Sequence, residues 1–431
     1  MSKIIDIIVK DIRFPTSLDN LGSDSVHVDC DYSAAYVEIF SDDKDLKGIG
    51  LTFTIGKGND LCVACIKHFK PLFLNKNITE IEKNINSLWR SCTNHSQLRW
   101  IGPEKGVIQL SVAALFNGFW DLISKYHRKP LWKYIVDLNT EDLLNKLSFT
   151  YIDDVITKEE AFNIIEGKKN NIQIATQSII KNGFPCYTTA AGWLGYSDEK
   201  MINLTKKYLS EGWTHFKMKV GQDIDRDIHR CKLVREIIGK DNLLMIDANQ
   251  AWSVKESIEN INKLKEFDLY FVEEPTNPDD ILGFKKIKNS VGGVKLATGE
   301  MCQNRIVFKQ FLENKSLDFC QIDSCRLASL NEILPILLMS SKLNIPVIAH
   351  AGGVGLCEYV QHLNIINQLI ITNNTTYLSE YAESCSEHLT NPSIIKNGHY
   401  VTPMNSGYSA IIKKDSVKKF QFPNGDYWKG K

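Results

Sequence analysis

The sequence has no net charge, because its 431 residues contain 51 Lys and Arg against 51 Asp and Glu. A protein devoted to nucleic acid needs an excess of basic residues, since much of its affinity comes from neutralised phosphates. The balance argues against such a protein, and we expect no nucleic-acid partner. A local basic patch would still be compatible with it.

Long apolar runs and an obvious targeting segment are also missing. A membrane-spanning helix needs about 20 mostly apolar residues, whereas the longest apolar runs resemble ILPILLM at 333–339. The opening residues, MSKIIDIIVKDIRF, hold a short apolar stretch broken by Asp6, and their acids do not fit a transit peptide. We expect no membrane contact, and taken alone these opening residues favour the cytoplasm.

Regular cysteine pairs are scarce. The 11 cysteines are odd in number and scattered from Cys30 to Cys385, which is typical of a reduced intracellular protein. A Cys-x-x-Cys pair, Cys62 and Cys65, lies in an apolar stretch with no second pair nearby, so packing explains it better than zinc.

Two rhythms divide the chain. Residues 3–14 and 32–40 alternate apolar and polar like half-buried strands, and about 60–136 has a helical period, so 1–139 is predicted to be an α+β domain. From residue 186 onward there are eight short apolar runs, and the seven intervals between them carry amphipathic helix patterns. The runs are CYTTAAGW, HFKMKV, LLMIDAN, YFVEEP, KLATGE, FCQIDS, PVIAHAGG and YLSEY, the last at 377–381.

Eight strands separated by helices predict a (β/α)8-type barrel over 186–384, capped by the first domain. The fold class is then α/β, a modified TIM barrel with an N-terminal α+β cap. Residues 140–185 would be a connection or insertion, and 385–431 a segment that returns to pack on the cap. An open doubly wound sheet is the alternative, but no clear glycine fingerprint follows a first strand.

Polar side chains end these strands at a regular interval. Starting from Lys219, the spacings are 28, 26, 27, 23, 27 and 30 residues, and they lead to Asp247, Glu273, Glu300, Asp323, His350 and Glu380. The carboxyl ends of barrel strands meet at one face, where barrel enzymes place their chemistry. A single acid at a strand end is usually a helix cap or a loop residue. Asp247, Glu273 and Glu300 on consecutive strands would repel each other unless a cation lay between them, and hard oxygen ligands favour Mg²⁺.

Two lysines and a histidine complete the pattern. Lys217 and Lys219 are two residues apart on a strand and therefore face the same way, and two neighbouring ammonium groups should lower each other's pKa, which suits a general base. A lone His is more often structural, but Asp323 on the adjacent strand could hold His350 and favour its protonated form. A base, a cation and an acid around one cavity suit removal of a proton next to a carboxylate.

These motifs resemble the enolase superfamily in its mandelate-racemase-like subgroup. The stretches that carry the resemblance include FKMKVG with both lysines, DAN with Asp247, EEPT with Glu273, ATGE with Glu300, QIDSCRL with Asp323 and HAGGVGLCE with His350. LRWIGPEKGV and GWLGYSD extend it over nearly the whole chain. Within the subgroup, L-fuconate dehydratases are the most similar.

The resemblance implies a magnesium-dependent hydro-lyase of carbohydrate metabolism that converts L-fuconate to 2-dehydro-3-deoxy-L-fuconate. Lys219 would remove the C2 proton to give a metal-stabilised enediolate, and His350, paired with Asp323, would assist loss of the C3 hydroxyl. Asp247, Glu273 and Glu300 would bind the metal, and Lys217 would face the substrate carboxylate. Further substrate contacts would come from Ser23, Asp24, Tyr32, Asn249 and Glu380.

Other readings stay open at this stage. The same groups could serve a racemase, a cycloisomerase or a dehydratase of another acid sugar, and a Schiff-base aldolase is a poorer idea because carboxylates surround the lysine. A non-catalytic, RNA-associated regulator on the same fold belongs to another class. We expect an acid-sugar substrate and a homo-oligomer. The resemblance favours mitochondria, against the cytoplasmic indication above. Trp100 is expected to pack internally, with a role in the pocket as the alternative.

Overall fold

The computed structural model describes residues 2–374 and 378–430. Tyr377, the first residue of the eighth predicted strand, lies outside the described residues. The described chain forms an antiparallel sheet with its helices, followed by a mainly parallel sheet whose ends meet.

The N-terminal part, here called the cap, is a sheet covered by helices. Its strands pair in the order β1 (Ile4–Arg13), β2 (Ser33–Ser41) and β3 (Lys47–Thr54). Its helices are α1 (Asn59–Phe69), α2 (Ile78–Lys83), α3 (Ile85–Thr93), α4 (Gly106–Tyr126), α5 (Leu131–Asp137) and α6 (Thr140–Asn145). Short 3-10 turns lie at Thr16–Asp19, Lys70–Leu72 and Ser96–Ile101.

Helix α4 joins the cap to the rest of the molecule. It lies so close to β3 that a Cβ on Gly50 would be 2.2 Å from the carbonyl oxygen of Ala114, so this contact requires glycine. The helix is long and apolar enough to cross a membrane, with a mean hydropathy of 1.4, but 83% of that window is buried inside the protein. Its Asn117 and Trp120 side chains donate hydrogen bonds to Ser324 and Asn331 of the second part, which identifies it as a core helix.

Residues 140–185 are more regular than their weak periodicity predicts. After α6 they form α7 (Lys158–Lys169) and α8 (Ile172–Asn182). Helix α7 starts with a capping box in which Thr157 and Glu160 bind each other's backbone N–H groups, a signal that the sequence does contain.

The second part is a barrel of parallel strands linked by helices. Its strands are β4 (Phe184–Thr188), β5 (His215–Lys219), β6 (Leu243–Asp247), β7 (Leu269–Glu273), β8 (Leu296–Thr298), β9 (Phe319–Cys320) and β10 (Ser379–Tyr381). Its helices are α9 (Asp198–Ser210), α10 (Ile224–Ile238), α11 (Val254–Leu264), α12 (Ile281–Ser290), α13 (Arg305–Glu313), α14 (Leu330–Lys342) and α15 (Leu356–Ile366). A 3-10 turn at Lys265–Phe267 follows α11, and a π-helical turn at Asn367–Ile371 follows α15.

The seventh predicted strand is the weakest part of the ring. Instead of a strand over 346–353, Val347 forms an isolated parallel bridge with Cys320. Pro346 has no N–H to donate, and the chain leaves the sheet soon afterwards through a glycine-rich turn. The ring still closes, because Ile348 N donates to the Cys320 carbonyl, Glu380 N donates to that of Ala349, and β10 pairs with β4.

Side-chain caps fix where the barrel helices begin. Ser197, Asp223, Ser253, Asp280 and Asn304 each accept a backbone N–H from the first turn of α9 to α13. Inside the ring, a cluster of buried side chains fills the barrel below its carboxyl ends, formed by Tyr187, Met245, Phe271, Ala297, Phe319, Ile348 and Leu378. The interior of the barrel is therefore occupied by side chains beneath the carboxyl ends of the strands.

The C-terminal segment contacts both parts. It contains a 3-10 turn at Ser386–His388 and the elements β11 (Ile395–Lys396), β12 (His399–Tyr400) and α16 (Lys414–Phe420). The β11–β12 hairpin pairs antiparallel with β4 of the barrel, which the sequence did not predict. Beyond α16, Phe422 N donates to the Asp11 carbonyl and the Trp428 indole donates to that of Arg13, so this stretch lies against β1.

Candidate active site

The strand register brings the predicted polar residues side by side. Lys219 at the end of β5 pairs with Asp247 in β6, and Asp247 pairs with Glu273 in β7. Phe216 and Met218, which alternate with the two lysines on β5, are buried on the opposite face. Alternation along one strand and register across three thus place the lysines and the first two carboxylates at the carboxyl ends of the strands.

Asp247, Glu273 and Glu300 form one cluster. Each offers a carboxylate oxygen, and these oxygens all lie within 4.8 Å of one another. Burial and the neighbouring Asp247 raise the pKa of Glu273 well above its usual value. Oε1 of Glu273 is buried and has no hydrogen-bond partner among the described residues. Clustered carboxyl oxygens with an unsatisfied member are what a hard divalent cation would complete, and the cation would favour their ionised form.

The two lysines contact this cluster in different ways. Nζ of Lys219 lies 2.5 Å from Oδ2 of Asp247 and 5.5 Å from the centre of the Trp193 ring. Nζ of Lys217 lies 2.8 Å from Oε2 of Glu273 and 2.9 Å from Oε1 of Glu380. Lys219 is therefore at the surface of the site, whereas Lys217 is enclosed by carboxylates beneath it.

The sequence-based expectation of lowered lysine pKa values is wrong for the protein without a cation. Burial and the neighbouring Lys217 act to lower the pKa of Lys219, but Asp247, Glu300 and Asp24 together outweigh them and raise it above its usual value. For Lys217, Glu273 and Glu380 likewise outweigh burial and raise the pKa. The carboxylates around the two lysines decide the direction of their pKa shifts. The positions of these carboxylates could not be predicted from two lysines on one strand.

His350 lies on the other side of the cluster. Its Nδ1 is 2.7 Å from Oδ2 of Asp323, and its Nε2 is 3.3 Å from Oε2 of Glu300. Asp323 is itself held by the backbone N–H groups of Cys325 and Arg326, which donate to Oδ1. Burial lowers the pKa of His350, but Glu300, Asp323 and Glu380 outweigh it and raise the pKa to about 10. These carboxylates thus favour the positively charged imidazolium, which is the form that an acid requires.

A cavity of about 380 Å³ lies between the cap and the carboxyl ends of the barrel strands. From the barrel, it is lined by Lys219, Asn249, Glu300, Asp323, His350 and Glu380. From the cap, the polar lining residues are Asp24, His27, Tyr32, Thr54 and Lys57. An apolar wall is formed by Phe53, Ile55, Leu61, Val107 and Leu110.

Some of the predicted substrate contacts line the cavity and others do not. Asp24, Tyr32, Asn249 and Glu380 line the cavity, and the buried Oδ1 of Asn249 has no hydrogen-bond partner in residues 2–374 and 378–430. Ser23 and Lys217, by contrast, are not among the lining residues. The hydroxyl of Ser23 donates to the Asn20 carbonyl and accepts the N–H of Gly195, so it fastens the cap loop to the barrel.

Sequence reasoning missed three ionisable residues of the cavity and misplaced an aromatic one. His27, Lys57 and Arg326 all line the cavity. His27 stands in a Ser- and Asp-rich loop with no periodic pattern, and its three-residue spacing from Asp24 is the one signal that could have pointed to it. Trp100 is 98% exposed, so the expectation that it packs internally is wrong.

Comparison with known proteins agrees with this geometry. Residues 200–416 match the family described as enolase C-terminal domain-like. Over 431 residues the chain is 47% identical to mitochondrial enolase superfamily member 1 of Xenopus laevis, covering 99% of this chain and 97% of that protein. The chain belongs to the enolase superfamily. The chain is also 45% identical over 422 residues to the L-galactonate dehydratase of Hypocrea jecorina, covering 96% of this chain and 93% of that protein.

A solved structure confirms the fold of the chain. The crystal structure of human mitochondrial enolase superfamily member 1 matches the chain with a TM-score of 0.98 at 45% identity, covering 99% of this chain and 98% of the human one. The predicted resemblance and the predicted fold class, a modified barrel with an N-terminal cap, are therefore both confirmed.

Proposed function

We propose that the protein is a magnesium-dependent acid-sugar dehydratase, and that its substrate is L-fuconate, which it converts to 2-dehydro-3-deoxy-L-fuconate. The observation that carries this proposal is the placement of Lys219 and His350 on two sides of one carboxylate cluster, at 2.5 Å from Asp247 and 3.3 Å from Glu300. A base and an acid on either side of a cation site suit proton abstraction followed by loss of a hydroxyl group.

Asp247, Glu273 and Glu300 would hold Mg²⁺, the cation that the enolase superfamily uses. When bound, it supplies positive charge that stabilises the carboxylate oxygens of the substrate as the C2 proton leaves, and it offsets the acids around Lys219. Lys219 in its neutral form accepts the C2 proton. The His350 imidazolium, oriented by Asp323, donates a proton to the C3 hydroxyl, which leaves as water. The resulting enol becomes a 2-keto-3-deoxy acid.

L-Fuconate is favoured by the apolar wall of the cavity. It differs from L-galactonate, the substrate named for the Hypocrea relative, in carrying a methyl group in place of the C6 hydroxymethyl group. Phe53, Ile55 and Leu61 offer that methyl group an apolar surface. Because an apolar pocket rejects an added hydroxyl only moderately, we expect kcat/KM for L-fuconate to exceed that for L-galactonate by about 10- to 100-fold.

A screen of acid sugars with Mg²⁺, with and without a chelator, tests the proposal. The expected product is a 2-keto acid that reacts with semicarbazide, formed by the wild type and abolished by the chelator. Lys219→Ala should lose activity by at least about 10²- to 10⁴-fold, whereas Lys206→Ala, an exposed lysine on α9, should not. Failure of every acid sugar to give a keto acid would overturn the dehydratase assignment, and inversion at C2 without loss of water would indicate a racemase.

The compartment is proposed from the relatives. The Xenopus laevis relative is named as a mitochondrial protein, and on that basis we infer a mitochondrial location for this chain. Fractionation of cells that express it with a C-terminal tag would test this, and recovery in the cytosol alone would contradict it.

A further inference from the structure

The cap carries a second Asp–His pair that faces the same cavity as Asp323 and His350. Nδ1 of His27 lies 2.9 Å from Oδ2 of Asp24, and both residues line the cavity. The Asp24 side chain is buried, with 7% of it exposed, while 31% of the His27 side chain is exposed. The imidazole therefore lies at the cavity surface with a buried carboxylate behind it.

The Asp24 carboxylate is bound within its own loop. Its Oδ1 accepts the backbone N–H groups of Val26 and His27 at 2.8 and 2.6 Å, and its Oδ2 is bound to the His27 ring. These three bonds use most of the roughly four acceptor sites of the carboxylate and hold it against the His27 ring. Its hydrogen bond raises the pKa of His27, which favours an imidazolium whose Nε2 is a donor. Nε2 has no hydrogen-bond partner within the described ranges.

The loop that carries the pair is fastened to the barrel on both sides of Asp24. The Ser23 hydroxyl accepts the N–H of Gly195, and the Ser25 hydroxyl donates to the Ala248 carbonyl at 2.9 Å. Ala248 directly follows Asp247 of the carboxylate cluster. His27 is thus positioned relative to the cation site by two short links, which is what a residue needs if it is to orient a ligand.

We propose that His27 is a substrate-binding residue that donates a hydrogen bond from Nε2 to a hydroxyl group of the acid sugar beyond C3, and that Asp24 is the positioning residue that orients it. This inference rests on the proposed dehydratase function. The barrel residues Lys219, Glu300 and His350 are committed to the carboxylate end of the substrate, so the cap meets the remainder of the carbon chain. His27 lines the cavity, and its ring combines a buried carboxylate partner at Nδ1 with an Nε2 that faces no protein acceptor among the described residues.

Substrate length separates this role from a general structural one. In wild type, His27→Ala, His27→Asn and His27→Gln, kcat and KM are measured for L-fuconate and for the four-carbon acid (2S,3R)-2,3-dihydroxybutanoate, which keeps the C2 and C3 configuration of L-fuconate and has no hydroxyl beyond C3. His27→Ala should raise KM for L-fuconate by about tenfold or more and leave kcat/KM for the four-carbon acid within about twofold. His27→Gln, whose amide nitrogen can take the place of Nε2, should recover part of the loss, whereas His27→Asn should not.

Two controls keep the outcomes distinct. Asp24→Asn should raise KM for L-fuconate less than His27→Ala does, and His68→Ala, an exposed histidine on α1, should change neither substrate. Equal losses on both acids, or unchanged KM in His27→Ala, would overturn the role of His27. A wild type that produces no keto acid from either substrate would instead overturn the proposed function, and thermal melting of each variant shows whether it is folded.

Discussion

Nζ of Lys217 lies 2.9 Å from Oε1 of Glu380 and thereby joins strand β5 to strand β10 across the floor of the site. The same nitrogen is 2.8 Å from Glu273, and the lysine side chain is 1% exposed. Lys217 therefore neutralises acids inside the barrel, in addition to any contact with substrate.

A stability measurement distinguishes these two roles of Lys217. Lys217→Met leaves Glu273 and Glu380 buried without their cation, so the free energy of unfolding of the metal-free protein should fall by about 3–5 kcal/mol. Urea denaturation in the presence of a chelator measures it, with the exposed Lys206→Met as the matched control. Unchanged stability would mean that Lys217 matters for substrate alone.

His350 and Asp323 should act as one unit. His350→Asn removes the acid and should lower kcat for the dehydration by about 10²- to 10⁴-fold. Asp323→Asn leaves the ring without its anionic partner and should also lower kcat, and the double variant should lose little more than His350→Asn alone. Steady-state kinetics on L-fuconate gives all three values. Losses that multiply in the double variant would show that Asp323 acts independently of the ring.

Binding of Mg²⁺ should stabilise the folded protein through the carboxylate cluster. At a free concentration 100 times the dissociation constant, the gain in the free energy of unfolding is about 2.7 kcal/mol. Thermal melting with increasing Mg²⁺ should therefore show a rising transition temperature in the wild type and in Glu199→Gln, an exposed acid on α9. The rise should vanish in Asp247→Asn and Glu273→Gln, and a rise that persisted there would place the cation elsewhere.

The buried His362 side chain should make the folded protein less stable in mild acid. Burial lowers its pKa to about 3, and the ring lies between the N–H of Trp132 and the hydroxyl of Ser409. The unfolded chain takes up a proton below about pH 6.5 that the folded chain does not, so stability is present above that pH and falls as the pH drops toward 3.

For this one group the loss between pH 8 and pH 5 is about 2 kcal/mol. In His362→Asn the amide oxygen can still accept the Trp132 N–H, but no proton is taken up, so the difference between urea unfolding at the two pH values should shrink by that amount. The same pH dependence in both proteins would show that His362 is not responsible.

The parts of the fold and site that could be predicted depend on local patterns. Alternation along β5 and the interval of one strand–helix unit placed Lys219, Asp247 and Glu273 without any coordinates, because both patterns repeat with fixed geometry. The prediction of a full seventh strand failed, because pairing at Val347 depends on Pro346 and on where the chain leaves the sheet.

Long-range contacts account for the remaining differences. The charges around Lys217 come from β7 and β10, so its enclosure could not be read from its own strand. His27 reaches the cavity because Ser23 and Ser25 bind barrel residues more than a hundred positions away, and no periodicity in a loop reports such contacts. The hairpin formed by β11 and β12 pairs with a strand about 200 residues earlier, which is beyond what local propensity can indicate.

The hydrogen bond from Phe422 N to the Asp11 carbonyl also has a consequence for how the protein is made. The ribosome adds about 5–20 residues per second, so the first strand emerges some tens of seconds before its partner around residue 422 is synthesised. During that interval the edge of β1 around Asp11 lacks its partner, although Ile4 can already bind Asn75 and Lys76, so the open part of the edge could pair with another chain. A nascent chain of this enzyme is therefore open to pairing along this part of β1 until its last residues are made.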